Sequence, residues 1–210
     1  WTPSSHWSHS LSLHYTYGYG YYKEFKNNAK FAKFGLVYYD AEGNFIKKSD
    51  FIRKKGLTQH TYGMVYNTNY KDEHWDVIGG LNLQQFRGNH WGYLTYIANQ
   101  DAEKKFLGSN GKYKYYDSDA HKYDYSAFVK ASYRFADYWN AFADLQYRRV
   151  EYKTDGINDK FIAQADGSYK NQELNINEKY NFFNPKAGIS FNKDGHKAYA
   201  SVAYSNREPE

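Results

Sequence analysis

The sequence predicts an all-β chain, an antiparallel transmembrane β-barrel segment of about seven strands with short periplasmic turns and long extracellular loops. Three observations carry this expectation. Long stretches alternate apolar and polar residues with a period of two, the connections between them come in two sizes, and aromatic residues gather at both ends of the predicted strands while aliphatic ones hold the middle.

The first strand is read from "WSHSLSLHYTYGYGYY", residues 7–22. Trp7, Leu11, Leu13, Tyr15, Tyr17, Tyr19 and Tyr21 fall on one face. Ser8, Ser10, Ser12, His14, Thr16, Gly18 and Gly20 fall on the other. The run is close to three times the usual five or six residues of a strand in a soluble domain. The alternation alone leaves two settings open: a sandwich whose apolar face meets a second sheet, or a barrel whose apolar face meets lipid.

The later strands follow the same rule. Residues 59–70 place Tyr62, Met64, Tyr66 and Tyr70 opposite Thr61, Gly63, Asn67 and Asn69, and after the turn "KDEH" Trp75, Val77, Leu81 and Leu83 oppose Asp76, Gly80, Asn82 and Gln84. Tyr123, Tyr125, Ala127, Val129, Ala131 and Tyr133 alternate against polar partners, turn at "FAD", and lead into Trp139, Ala141, Ala143, Leu145 and Tyr147. Residues 180–192 and 197–205 form the last predicted hairpin about "KDGH", whose Asp-Gly is a strong turn signal.

Short turns near residues 71–74, 135–138 and 193–196 thus alternate with polar stretches at 23–58, 88–122 and 153–178, which are predicted loops of roughly 25 to 36 residues. Trp7, Tyr70, Trp75, Tyr133 and Trp139 lie beside the short turns. Tyr21, Tyr62, Tyr123, Tyr125 and Tyr147 lie towards the long connections, with Leu11, Leu13, Leu81, Leu83, Val129, Ala143 and Ile189 between. Two aromatic girdles around an aliphatic band follow from lipid chemistry; a sandwich core has no reason to move its rings to both ends. An odd strand count that begins on one side and ends on the other is the arc of a larger barrel.

Composition agrees. The mean hydropathy of −0.95 and the absence of any long apolar run exclude helical membrane spans but not strands. Aromatics make up 21%, with 25 Tyr, 14 Phe and 5 Trp, suited to a membrane interface, a carbohydrate surface or a stacking platform. There is no cysteine, hence no disulfide framework or thiolate metal site. The net charge of +5 points to anionic neighbours. With only three prolines and no linker-like tract, residues 1–210 read as one unit, and the start at Trp1 without a signal peptide reads as a mature fragment.

Several stretches resemble a known family: "HYTYGYGYYKEFK" (14–26), "DFIRKKGL" (50–57) leading into "YGMVYN" (62–67), "YNFFNPKAGISF" (180–191) and "AYASVAYSNREPE" (198–210). They are similar to the middle barrel strands of TonB-dependent outer-membrane receptors of Gram-negative bacteria. The resemblance implies a partial outer-membrane β-barrel domain, part of a barrel of 22 strands whose plug and TonB box are absent from these residues. It implies binding and import of a scarce nutrient, foremost a ferric siderophore, haem or related chelate, with a glycan-importing member of the family as the alternative. It also implies coupling to the TonB complex through parts not in this chain, and no catalysis or resident cofactor. Ligand contacts vary among members, so the resemblance assigns no residue a role.

The residues supply their own candidates. Trp91, Tyr93, Tyr113, Tyr115, Tyr116 and His121 fall in the second predicted loop and are candidate ligand contacts. Lys47, Lys48, Arg53, Lys54 and Lys55 give the first predicted loop a basic surface, suited to lipopolysaccharide phosphates or, more sharply, to an anionic ligand. Asp117, Asp119, His121 and Asp124 could gather a hard cation, and Asp155, Asn158 and Asp159 likewise. The first lacks the glycine turn and closing glutamate of a calcium loop, so a solvated loop or strand end is the favoured reading, and for the second a turn is favoured over a calcium site. His6 and His9 read as rim residues, and "GSNGK" (108–112) as a turn rather than a phosphate loop. Inward Lys130, Arg134, Asp144 and Arg148 read as cross-strand charge pairs. A soluble aromatic-rich carbohydrate binder is the rival outside the membrane. Nucleic-acid binding is disfavoured by interior Asp76, Asp124 and Asp144, which interrupt any basic groove.

Overall fold

A computed structural model describes residues 1–208. One antiparallel sheet contains β1 (Trp7–Lys30), β2 (Lys48–Lys71), β3 (Trp75–Ile97), β4 (Tyr113–Ala136), β5 (Trp139–Ala163), β6 (Tyr169–Lys193) and β7 (His196–Ala203) in sequence order. The expected seven strands and their short turns are all present. The last short turn uses Asp194 and Gly195, both at positive φ (50° and 80°), the conformation that lets a two-residue turn follow the twist of its strands.

The long connections are shorter than the sequence reading placed them. Residues 23–58, 88–122 and 153–178 were expected as loops, yet the strands run on and leave only residues 31–47, 98–112 and 164–168 between them. The physical reason is that β1 to β6 are 23 to 25 residues long, whereas crossing a bilayer takes about 9–11 tilted residues. Beyond the hydrocarbon both faces of a strand meet water. Backbone pairing continues while the apolar contrast disappears, as in "RKK" at 53–55 of β2. "KTDGINDK" is likewise not a turn: it lies within β5, whose pairing with β6 shifts between Ile157 and Phe161.

Register confirms the faces. Trp7 stands opposite Tyr70, Leu13 opposite Met64, Met64 opposite Leu83, Val129 opposite Leu145, and Ala143 opposite Ala187, all on one side of the sheet. Among the described residues no second layer covers the middle of that side: Leu13 is 74% exposed and Tyr15 57%. The short-turn end carries paired rings, Trp7–Tyr70 at 5.0 Å, Trp75–Tyr133 at 4.5 Å and Trp139–Phe191 at 4.9 Å between centroids, at the level where an interface would lie. At this rim His6 Nδ1 contacts the Lys71 carbonyl at 2.9 Å, and His9 stacks between Trp1 and Trp7.

The opposite, even-numbered face of β1 is polar and small, and glycines there admit rings from the next strand. A Cβ on Gly63 would come within 1.9 Å of the His14 ring, and one on Gly80 within 2.4 Å of the Phe128 ring. On this face Arg148 makes a two-toothed pair with Asp124 (3.0 and 2.6 Å), the kind of cross-strand charge pair the sequence suggested. Lys130 and Lys186 both lie over the Phe142 ring.

The buried cluster lies at the long-connection end; Val150 and Phe182 are buried apart from it, midway along β5 and β6. Phe31, Phe34, Leu36 and Tyr38 of the first connection pack with Phe51, Leu94, Ile97 and Tyr115 of the strands, and with Ala102 and Leu107 of the short helix α1 (Gln100–Leu107). Asn99 caps that helix, its Oδ1 accepting from the Ala102 amide at 2.9 Å.

Candidate functional site

The site is built from the tips of the strands and the first connection. Pairing shifts between Lys26 and Ala29, Ile52 and Arg53, Gly92 and Tyr93, and Ile157 and Phe161. Bulges bend a strand and increase its twist, so four at this end turn the tips over the polar face. Phe34, in a 3₁₀ turn over Phe31–Phe34, meets Phe51 at 4.8 Å and Tyr115 at 5.3 Å between ring centroids. Gly35 ends the turn at φ 73°, and a Cβ there would lie 2.2 Å from the Phe161 ring of β5. The first connection is therefore a folded cap, and its farther half is held by Asp40, which accepts from the Asn44 amide (2.7 Å) and Nδ2 (3.0 Å).

Beneath the cap the inner face is charged and ring-lined. Glu24 accepts from Arg53 Nε (2.9 Å) and Nη2 (2.7 Å) and also pairs with Lys26; Lys26 first, and Arg53 with it, hold the Glu24 carboxyl below the usual carboxylate range. Lys55 Nζ reaches Asp159 Oδ2 at 2.6 Å. Beside this pair lies an open pocket of about 410 Å³, lined on the inner face by Gly20, Tyr22, Lys55, Leu57, His90 and Tyr116. Their alignment follows from register: Tyr22 faces Lys55, Lys55 faces Gly92, and Gly92 faces Tyr116. Gly92 is required there, since a Cβ would lie 2.1 Å from the Tyr116 ring. Burial pushes the Tyr116 hydroxyl up to about 12, so it stays a hydrogen-bond donor at any physiological pH. The arrangement offers one ammonium, one imidazole and two phenol rings to a guest of moderate size.

The sequence candidates divide among three places, and of them only Lys47 lies in a connection. All six expected ligand contacts stand on strands: Trp91 and Tyr93 on β3, and Tyr113, Tyr115, Tyr116 and His121 on β4. Tyr116 lines the inner pocket. Tyr115 is 2% exposed within the cap core, with Tyr113 packed against the same cluster, so both support the cap. Trp91 and Tyr93 face outwards, as does His121, which stands opposite Arg87 and Lys153. The five basic candidates divide similarly. Arg53 and Lys55 are the inward partners of Glu24 and Asp159, Lys54 points outwards over the Tyr21 ring at 3.8 Å, and Lys47 and Lys48 stand exposed where the first connection enters β2.

The acid-rich stretch is also split. Asp117, Asp119 and His121 share the outer face, whereas Asp124 points inwards to Arg148. Asn89 Nδ2 donates to Asp117 (2.8 Å) and Asp119 (2.9 Å). Tyr22, Leu57 and His90 were missed by sequence reasoning. Their signal was the register of β1, β2 and β3, which could be extended past residue 22 only by knowing that pairing outlasts the membrane.

The family model described as TonB dependent receptor-like, beta-barrel matches residues 1–210. No curated protein matches the chain.

Proposed function

The chain belongs to the TonB-dependent receptor β-barrel family, an outer-membrane family of nutrient transporters rather than enzymes, and from that premise we propose that the pocket beneath the cap receives an anionic metal chelate. The ligand class is a ferric siderophore, haem or a related chelate. The observation that carries this reading is the convergence of Lys55, His90, Tyr22 and Tyr116 on one open pocket of about 410 Å³, on the polar face of the sheet. An ammonium answers negative charge, an imidazole N–H offers a hydrogen bond, and flat rings answer a conjugated ligand.

In this reading the seven strands are an arc of a 22-stranded barrel, the polar face lines its lumen, and the outer face meets lipid and lipopolysaccharide. Import is driven by the TonB complex acting on parts of the receptor outside residues 1–210. Direct binding of haemin and of ferric catecholate and hydroxamate chelates to the full-length receptor tests it. Lys55→Gln is expected to weaken one of these ligands about tenfold, as loss of a charged contact does, and His90→Ala several-fold, as loss of a hydrogen bond does. Unchanged affinity for every chelate in both variants overturns it.

A second reading, glycan import, is favoured by Tyr22 and Tyr116, whose rings could stack on sugar faces. It predicts binding of a neutral oligosaccharide that Lys55→Gln leaves intact and added salt does not weaken.

A further inference from the structure

The outer face carries a second pocket, separate from the inner one. It is a groove of about 450 Å³ near the tips of β1 to β4, lined among others by Tyr19, Lys23, Lys54, Trp91, Tyr93 and Lys112. Its basic side chains are held against rings: Lys54 Nζ lies 3.8 Å from the Tyr21 centroid and 5.4 Å from that of Trp91, and Lys112 Nζ lies 5.3 Å from that of Tyr93. Lys114, at its edge, is paired with Asp117 at 2.5 Å. Among the described residues, Lys23, Lys54 and Lys112 have no carboxylate within 4.0 Å, so three ammonium groups share one groove without an ion-pair partner, while the nearby Asp117 and Asp119 carboxylates are engaged by Asn89, and Asp117 also by Lys114.

Location decides the partner. Tyr19 and Trp91 lie on the same face as Leu11, Leu13 and Leu83, the face this account places against lipid. Tyr15 pairs with Tyr62 of the upper girdle, whereas Tyr21, expected in the same girdle, stands six positions higher on β1; Tyr19 is four positions beyond Tyr15, roughly 9 Å higher for a strand tilted by about 45°. That height lies past the acyl chains, at the sugars and phosphates of the outer leaflet. We propose that this groove binds the phosphorylated saccharide headgroup of an outer-leaflet glycolipid, with the three unpaired lysines on phosphate and the Trp91 and Tyr93 rings against the sugar. Basic pockets at membrane level take anionic headgroups for this electrostatic reason, and the rings beneath Lys54 and Lys112 hold those two ammonium groups in place without neutralising them. The inference deepens the membrane reading above and rests on it.

The test uses the full-length receptor in detergent micelles, with bisphosphorylated lipid A as probe and dephosphorylated lipid A as comparison, read by native mass spectrometry or titration. The expected result is binding of the phosphorylated form, about tenfold or more tighter than the dephosphorylated form, weakened by salt and lost to a similar degree in Lys54→Glu/Lys112→Glu. Heat-modifiable migration on gels verifies that the variant is folded; if the double reversal does not fold, Lys54→Gln alone is expected to lower affinity several-fold. Equal binding of both lipid A forms, or unchanged binding in a folded variant, overturns the groove assignment. So does equal affinity for soluble glucosamine 1-phosphate, which would make the site one for free sugar phosphates. A receptor that stays monodisperse without detergent would instead overturn the membrane reading itself.

Discussion

Lys55 on β2 and Asp159 on β5 meet at 2.6 Å, although β3 and β4 separate their strands in the sheet. The contact exists because β5 leaves its pairing with β4 after Ile157 and bends inwards, bringing Phe161 under Gly35 and Asp159 over the polar face. The pair sets the charge of the pocket. Asp159→Asn removes a carboxylate that competes for Lys55, and is expected to raise the affinity of an anionic chelate a few-fold. The effect on stability is small, about 1 kcal/mol or less for so accessible a pair. Chelate titration and urea unfolding of the full-length receptor check both parts.

The two faces of β1 predict unequal tolerance to charge. Leu11 lies midway between Trp7 and Tyr15 on the outer face, and Ser12 beside it on the inner face. Leu11→Arg is expected to cost about 2–4 kcal/mol in lipid vesicles, the range for a cation at the midplane of a barrel's lipid face. Ser12→Arg should cost far less. Urea unfolding of the refolded receptor in vesicles measures the difference.

The cap should be separable from the barrel. Phe34 is 2% exposed, and Phe34→Ala removes a ring seated against Phe51 and Tyr115, a loss of about 3–5 kcal/mol for a buried Phe. Because the cap lies at one end, the expected phenotype is local: faster tryptic cleavage at Lys33, Lys47 or Lys48, with the barrel still folded. Limited proteolysis followed by mass spectrometry reads this directly.

The turn between β2 and β3 should titrate. Asp72 accepts from the Trp75 amide (2.7 Å), the Tyr70 hydroxyl (2.7 Å) and the His74 amide (2.8 Å), and these bonds bring its carboxyl down to about 2. A folded-state value below the unfolded one, near 3.9, means that the stabilisation is fully present above about pH 5 and is lost as pH falls towards 2. Asp72→Ala should be less stable than the parent at neutral pH, and the difference should shrink across that window. Urea midpoints at a series of pH values test it, and a difference constant with pH contradicts it.

The membrane-crossing part of this fold was legible because lipid imposes chemistry on every second residue. Leu11, Leu13, Leu81, Leu83 and their flanking rings need no tertiary information to be assigned a face. The strand extensions were illegible for the complementary reason: between Lys23 and Lys30, or Asn89 and Ile97, the faces no longer differ in solvent, and only hydrogen-bonded register keeps the strands in line. The bulges that fold the tips inwards leave little trace in composition. Hence Tyr115 and Tyr116, adjacent in sequence and alike in type, were read as equivalent contacts, whereas the shift between Gly92 and Tyr93 sends one into the cap core and the other to the pocket.

The most direct test of the central claim is a spin-label scan of β1. Single substitutions to Cys from Ser8 to Tyr21 in the refolded receptor, in lipid vesicles, are labelled and read for collision with oxygen, which concentrates in hydrocarbon, and with a water-soluble nickel chelate. The account predicts oxygen maxima at 11, 13 and 15 and nickel maxima at 10, 12 and 14, with nickel access on both faces beyond residue 19. Maxima in the opposite phase, or no alternation between residues 10 and 15, would contradict it.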